Sequence, residues 1–243
     1  MKLRSQNIRR FLTVLSALLF PVTMIYFSPG MVFKGARLGI LSGSYLTFFL
    51  LFLSAIFFGR AWCGWLCPVA GFSDMMQPVN GRPYTIRKAK RIKYIIWAIW
   101  IAAIACVVIF VGGGFSSVDL LLGTEKGISI HNISLIAVYY IVIGTIVTSS
   151  LLFGRRGFCH TFCWMAPFLV LGRKLGNVLK LRSLRLSAND NPCSGCGECE
   201  FACPMSLPVQ EMVSRNDLEH VDCILCDICV NTCPDKKISI SFS

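Results

Sequence analysis

Four stretches of this chain are long and apolar enough to leave water altogether: Phe11 to Phe27, Leu38 to Phe58, Ile92 to Val111, and Ile133 to Phe153. A helix rises 1.5 Å per residue, so about 20 apolar residues cover a hydrocarbon core of roughly 30 Å. Apart from Lys93 near the start of the third, none of the four carries a charged side chain. Pro21 in the first is tolerable, because neighbouring helices can satisfy the freed backbone carbonyl. Only 15% of the chain is charged and 55% is apolar, whereas soluble domains run nearer a quarter charged. The expectation is an α-helical membrane protein with four transmembrane helices.

The Lys and Arg residues near the span ends set the orientation. Lys2, Arg4, Arg9 and Arg10 precede the first span, and Arg60, Arg82, Arg87, Lys88, Lys90, Arg91 and Lys93 lie between the second and third. Arg155, Arg156, Arg173, Lys174, Lys180, Arg182 and Arg185 follow the fourth. The remaining connections are poor in bases, so both termini are expected on the cytoplasmic side of a prokaryotic cell membrane. The net charge of +12 flanks apolar runs and forms no aromatic-interleaved stripe, which points to anionic membrane lipid and away from nucleic acid.

The chain also repeats itself. Spans two and four each end in Phe-Gly-Arg (58–60 and 153–155), followed by Cys63-x3-Cys67 and Cys159-x3-Cys163. Two helical hairpins related by an axis along the membrane normal would bring the two thiol pairs together at one depth. At i and i+4 two sulfurs share one helical face. Three readings of these membrane-edge cysteines stand: a four-thiolate site for an additional iron–sulfur cluster or metal ion, a redox-active dithiol pair, or structural thiols. Arg60, Arg155 and Arg156 would stabilise thiolates or a negatively charged cluster, or merely anchor the chain to lipid.

From Ser187 onward the balance reverses, with nine acids and three bases. This tail contains Cys193-x2-Cys196-x2-Cys199-x3-Cys203-Pro and Cys223-x2-Cys226-x2-Cys229-x3-Cys233-Pro. In the bacterial two-cluster spacing, three close cysteines hold one [4Fe–4S] cube and the fourth holds the other. Cys193, Cys196, Cys199 and Cys233 are therefore expected to bind one cluster, and Cys223, Cys226, Cys229 and Cys203 the second. Zinc uses Cys-x2-Cys pairs too, but does not require two copies of a 2-2-3 spacing ending in Pro. Gly195 and Gly197 let the backbone curl around the inorganic core. Residues 237–242 alternate like a closing strand. The acids Glu198, Glu200, Asp222 and Asp227 read either as a docking face for a basic partner or as plain solubilising charge.

Three segments follow: a four-helix transmembrane domain (1–163), an amphipathic interfacial helix with a linker (164–187), and an α+β ferredoxin-like domain (188–243). Within the second, residues 165–181 read as a helix lying on the inner membrane surface, and 183–191 as flexible linker. No His lies within a span, which argues against a membrane b-type haem. His160, between Cys159 and Cys163, reads as a ligand or as an interfacial polar residue. Cys106 reads as a small apolar residue. Trp62, Trp65, Phe158, Phe162 and Trp164 would border a quinone headgroup or form an aromatic belt.

Taken together, four spans, Gly-Arg-Ala-Trp-Cys63-Gly-Trp-Leu-Cys67-Pro68, a second pair at Cys159 and Cys163, and two C-terminal cubane motifs resemble the NapH-type membrane ferredoxins of periplasmic nitrate reductase systems. They also resemble the related polyferredoxin cores of nitrous oxide reductase maturation regulators. One departure is that Pro167 follows Cys163 by four residues, where Pro68 follows Cys67 directly. The resemblance implies single-electron transfer, without substrate chemistry of its own, between the quinone pool or a cytoplasmic donor and a partner redox protein or reductase subunit. A metal-handling or assembly factor that binds or reduces a metal ion at the edge cysteines is the alternative.

Overall fold

The computed structural model describes residues 2–110 and 114–242. Val111, the expected end of the third span, and Ser243, the last residue of the tail domain, lie outside the described residues. In chain order come helices α1 (Lys2–Leu18), α2 (Phe20–Thr23) and α3 (Pro29–Leu38), strand β1 (Ile40–Ser42), and helices α4 (Gly43–Phe58), α5 (Ala61–Trp65) and α6 (Pro68–Met75). They are followed by α7 (Ile92–Phe110), β2 (Ser117–Asp119), α8 (Ile133–Phe153), α9 (Gly157–Thr161) and α10 (Ala166–Val178). The C-terminal module holds β3 (Leu184–Ala188), α11 (Glu198–Phe201), α12 (Val209–Ser214), α13 (Ile228–Thr232) and β4 (Ile238–Phe242).

Among the described residues, two helices are long and apolar enough to cross a membrane, α7 with its leading 3-10 turn and α8. Both are apolar on nearly every side and little buried within the protein, as a lipid-facing helix should be. The other two expected spans differ. The first breaks at Leu19, ahead of Pro21, and bends by 56° between residues 5–18 and 20–27. Proline removes a hydrogen bond and crowds the preceding turn, which accounts for the break. The second is a 16-residue helix, α4, because Gly39 takes a left-handed conformation (φ 65°) and ends α3 at Leu38. The chain then extends as β1, which pairs in parallel with β2.

After each apolar helix the repeat is visible in local structure. Gly59 ends α4 at φ 55° and Gly154 ends α8 at φ 85°. A five-residue helix follows each, α5 carrying Cys63 and α9 carrying Cys159. A second helix then begins, α6 at Pro68 and α10 at Ala166.

Helix α10 does not simply lie on a surface as expected. It packs lengthwise on α4, with Gly172 against the Phe52 carbonyl and Ala55, and Gly176 against the Ile56 carbonyl. Glycines four apart let two helix backbones approach closely. Leu169 and Val170 are buried on that side, while Leu171, Leu175 and Val178 face outward. The expected linker is also structured: Leu184–Ala188 forms β3, antiparallel to β4 from Leu184↔Phe242 to Ala188↔Ile238. The tail module therefore begins near Ser183, whose hydroxyl accepts from Arg173 at 2.9 Å.

The two halves of the protein share one core, in which Cys63, Cys67, Cys159 and Cys163 are buried together with Cys203, Cys226, Ile224 and Met205. The N-terminal helix joins them on the same side, as Gln6 donates to the Cys226 carbonyl at 3.1 Å and Ser5 bonds to Asp227.

Candidate metal centres

Two cavities in the tail module have separate sets of cysteines in their walls. The outer one is lined by Cys193, Cys196, Cys199 and Cys233, and the inner one by Cys203, Cys223, Cys226 and Cys229. Each quartet thus combines three neighbouring cysteines with the fourth of the other motif. The empty volumes are about 320 and 430 Å³. Cys193 and Cys196 are exposed, whereas Cys203, Cys226 and Cys229 are buried.

The loops that hold these cysteines share one backbone pattern. Gly195 and Gly197 sit at φ 70° and 74°, and the matching positions of the second motif, Leu225 and Asp227, sit at 49° and 66°. Ser206 and Lys236, each three residues past its Cys-Pro cysteine, also take positive φ, at 48° and 50°. Leu225 is a bulky residue in the left-handed region, a conformation that costs about 1–3 kcal/mol and persists only where the surroundings enforce it. In return the turns aim N–H groups at sulfur. Leu225 and Ile228 donate to Cys223 and Cys226, while Met205 and Leu207 donate to Cys203.

Burial nevertheless pushes the Cys223 thiol up to about 12 and Cys226 up to about 11, and raises Cys229. Buried thiols of this kind become thiolates when a bound cation supplies the compensating charge. Donors converging on sulfur and soft thiols around a cube-sized cavity fit a [4Fe–4S] cluster.

The four edge cysteines are buried in one cluster. Burial raises Cys67, and the charges of Cys63, Cys159 and Cys163 raise it further. Cys159 is pushed up to about 12 by burial, with Cys163 and Cys63 adding to it. The second cysteine of each pair starts a helix. The Cys67 sulfur accepts from the Ala70 N–H of α6, and that of Cys163 from Met165 and Ala166 of α10. Pro68 occupies the first turn of α6 and Pro167 the first turn of α10. Two residues are inserted before α10, and the Cys163 sulfur still meets its N-terminus.

Several charged residues lie elsewhere than the sequence implies. Asp222 is buried, with Arg60 Nη1 at 2.9 Å and Lys93 Nζ at 2.8 Å, and Lys90 at 3.7 Å. It belongs to no docking face. Burial opposes its ionisation, but Arg60 and Lys93 outweigh that and hold its carboxyl well below the usual range. A second such knot joins Asp74 to Arg9 Nη1 and Arg156 Nη2, each at 2.9 Å. Arg156 Nη1 also donates to the Cys63 carbonyl at 2.8 Å, tying one edge motif to the other. Arg60 and Arg156 both stand three residues before the first cysteine of their pair. They are protein-buried cations and not lipid anchors. Arg155 alone stays at the rim, donating to the Gly81 and Phe201 carbonyls.

Asp74, which pairs Arg9 with Arg156 beside the edge motifs, is a residue the motifs did not single out. Its signal was available, since it is one of three acids before Ser187 and lies seven residues past Cys67. Of the interfacial aromatics, Trp65 donates to the Leu225 carbonyl and Trp164 to the Phe27 carbonyl, both at 3.0 Å. His160 is fully buried, stacks on Tyr84 at 4.4 Å, and is pushed down to about 3 by burial. Cys106 and His131 are exposed, away from these sites.

Residues 43–91 and 135–182 each match a family described as a 4Fe-4S binding domain, and residues 192–238 match a 4Fe-4S dicluster domain. The chain carries 4Fe–4S binding domains. The two matches to the first family begin at α4 and just inside α8, and each includes one edge pair. The chain is 23% identical to an uncharacterized protein of Methanocaldococcus jannaschii, over 82% of this chain and 70% of that one. It is 25% identical to the putative electron transport protein YccM of Escherichia coli, over 72% of this chain and 49% of the relative. With the nitrogen fixation protein FixG of Rhizobium meliloti the identity is 23%, over 76% and 39%. It thus spans half or less of these two named relatives. No solved structure matches the chain.

Proposed function

We propose that this protein is a membrane-bound iron–sulfur relay that moves single electrons between the quinone pool or a cytoplasmic donor and a partner redox protein. The observation that carries the reading is the pair of cysteine quartets, each lining its own cavity. Cys193, Cys196, Cys199 and Cys233 would hold one [4Fe–4S] cluster, and Cys203, Cys223, Cys226 and Cys229 the other. A bound cluster supplies one-electron redox chemistry; the chain supplies thiols, N–H donors, and a graded exposure from the outer cavity to the inner one. The printed description of YccM as an electron transport protein supports the same reading, and the motif set favours a NapH-type member.

Both termini would be cytoplasmic. The basic connections support this, as does the docking of Ser5 and Gln6 on the tail module. Without a carrier at mid-membrane depth, electrons would be exchanged on that face or with quinone in the bilayer. The edge cysteines Cys63, Cys67, Cys159 and Cys163 would hold an additional iron–sulfur cluster or metal ion. Their joint burial also supports a second reading, a metal-handling factor that binds or reduces a metal ion there.

Anaerobic purification followed by iron and acid-labile sulfide counts tests the relay. About eight of each per chain, with EPR signals after dithionite reduction, are expected for two cubanes. Fewer than eight at full occupancy would remove the two-cluster reading.

A further inference from the structure

The environment of the edge thiols is unbalanced in two independent ways. Arg9, Arg60, Lys93 and Arg156 are buried cations, and among the described residues Asp74 and Asp222 are the carboxylates that pair with them. Two positive charges are left over, with Lys90 at the margin adding to the excess. Each cation has a carboxylate partner, but two carboxylates are shared among four cations, so the buried cluster carries a net positive charge that a bound anion would offset. It also lacks hydrogen-bond partners, mostly acceptors, since a neutral His160 ring needs one acceptor and one donor. Arg60 Nε, Trp62 Nε1 and both ring nitrogens of His160 are buried without a hydrogen-bond partner. Each lies within three residues of an edge cysteine in sequence. A buried unpaired polar group costs about 1–3 kcal/mol, and buried groups left without protein partners point to a water, an ion or a functional role.

We propose that the four edge thiols hold a third iron–sulfur cluster, a dianion, to which Arg60, Trp62 and His160 are the hydrogen-bonding and charge-compensating neighbours. This rests on the relay reading above and names the occupant that it left open. A four-thiolate cube carries a formal charge of roughly −2 when oxidised and presents sulfur acceptors on every face. That matches both deficits at once. Two neutral dithiol pairs would leave the charge excess and the orphaned donors as they are.

A single tetrahedral ion would supply the charge, but it draws its ligands to about 2.3 Å from one point. Among the described residues no three His, Cys, Asp or Glu side chains converge in that way. The tail quartets do not converge so tightly either, and they line cavities suited to a cube.

The test uses the full chain, purified without oxygen. Iron and sulfide near twelve of each per chain are expected, falling to about eight in the double variant Cys63→Ser, Cys159→Ser with both tail signals retained. A wild-type count of eight, unchanged in that variant, would overturn the third cluster while leaving the two-cluster relay standing. A count below eight would instead strike the relay itself.

The neighbours are tested by Trp62→Phe and His160→Phe, which keep an aromatic ring against Phe27 and Tyr84 and remove the ring nitrogens, with a smaller ring at 62 and a larger one at 160. These two also serve if the double variant does not fold. Losing a donor destabilises the more negative, reduced state, so the midpoint potential of the third signal should fall while both tail potentials stay fixed. A third signal that keeps its potential in both variants would remove Trp62 and His160 from the assignment. Equal shifts in all three signals would mean a general structural disturbance and would also overturn it.

Discussion

A Cβ built on Gly64 would stand 2.5 Å from the Ile224 carbonyl oxygen and 3.4 Å from the Cβ of Cys226. The backbone next to Cys63 therefore lies directly against the loop that lines the inner cavity. Trp65 clamps the same loop through the Leu225 carbonyl. The Cys63 segment and the Cys226 loop are thus neighbours, with no side chain at Gly64 between them. Gly64→Ala must push one backbone away from the other. The expected cost is about 1–3 kcal/mol, typical of overpacking, read by denaturant unfolding in detergent. Unchanged stability would mean that the two segments are not in contact.

Cys233→Ser separates the crossed ligand sets from sequential ones. Because Cys233 lines the outer cavity with Cys193, Cys196 and Cys199, the outer cluster's EPR signal should be lost or altered. The signal that depends on Cys223 should survive. The reverse pattern would assign Cys233 to its own motif.

Asp74→Asn leaves Arg9 and Arg156 without their shared carboxylate. Breaking a buried pair by removing one partner costs about 3–5 kcal/mol. Burial alone would raise the Asp74 carboxyl, but Arg156 and Arg9 outweigh it and hold it below its ordinary value. With the folded value below the unfolded one, the stabilisation is complete above about pH 4 and is lost as pH falls through the folded value. The gap in stability between wild type and Asp74→Asn should therefore narrow on acidification below that point. A gap that widens there would reverse the assignment.

Gly172→Val should separate α10 from α4, since even a Cβ would meet the Phe52 carbonyl and lie 2.9 Å from the Ala55 Cβ. A loss of more than about 1 kcal/mol is expected from such overpacking. Leu175→Ala, on the outward side, should change stability by less than about 0.5 kcal/mol. Comparable effects of the two would mean that α10 lies free on a surface.

The features legible from sequence are those set by near neighbours along the chain. Cysteine spacing fixes which sulfurs share a turn, so the two tail quartets could be read from the motifs, and apolar length marked α7 and α8 nearly to the residue. The first and second spans were legible only as hydropathy. A proline at position 21 and a left-handed Gly39 decided where those helices stop, and hydropathy does not register either. Non-glycine residues in the left-handed turns, Leu225 and Asp227, were not legible at all. Their conformation comes from a loop geometry that matches the one at Gly195 and Gly197 in the first motif and not from their own preference.

By itself, then, the sequence determined the apolar helices, the four cysteine motifs, and the excess of bases ahead of an acidic tail. Only the tertiary structure decided which of those charges leave water. Arg60 and Lys93 reach Asp222 across 162 and 129 residues of chain, and Arg156 reaches Asp74 across 82. Hydropathy and turn geometry are local and are written residue by residue. Burial and charge pairing depend on which distant segments meet, and that is settled when α5 and α9 close on the loops of the tail module.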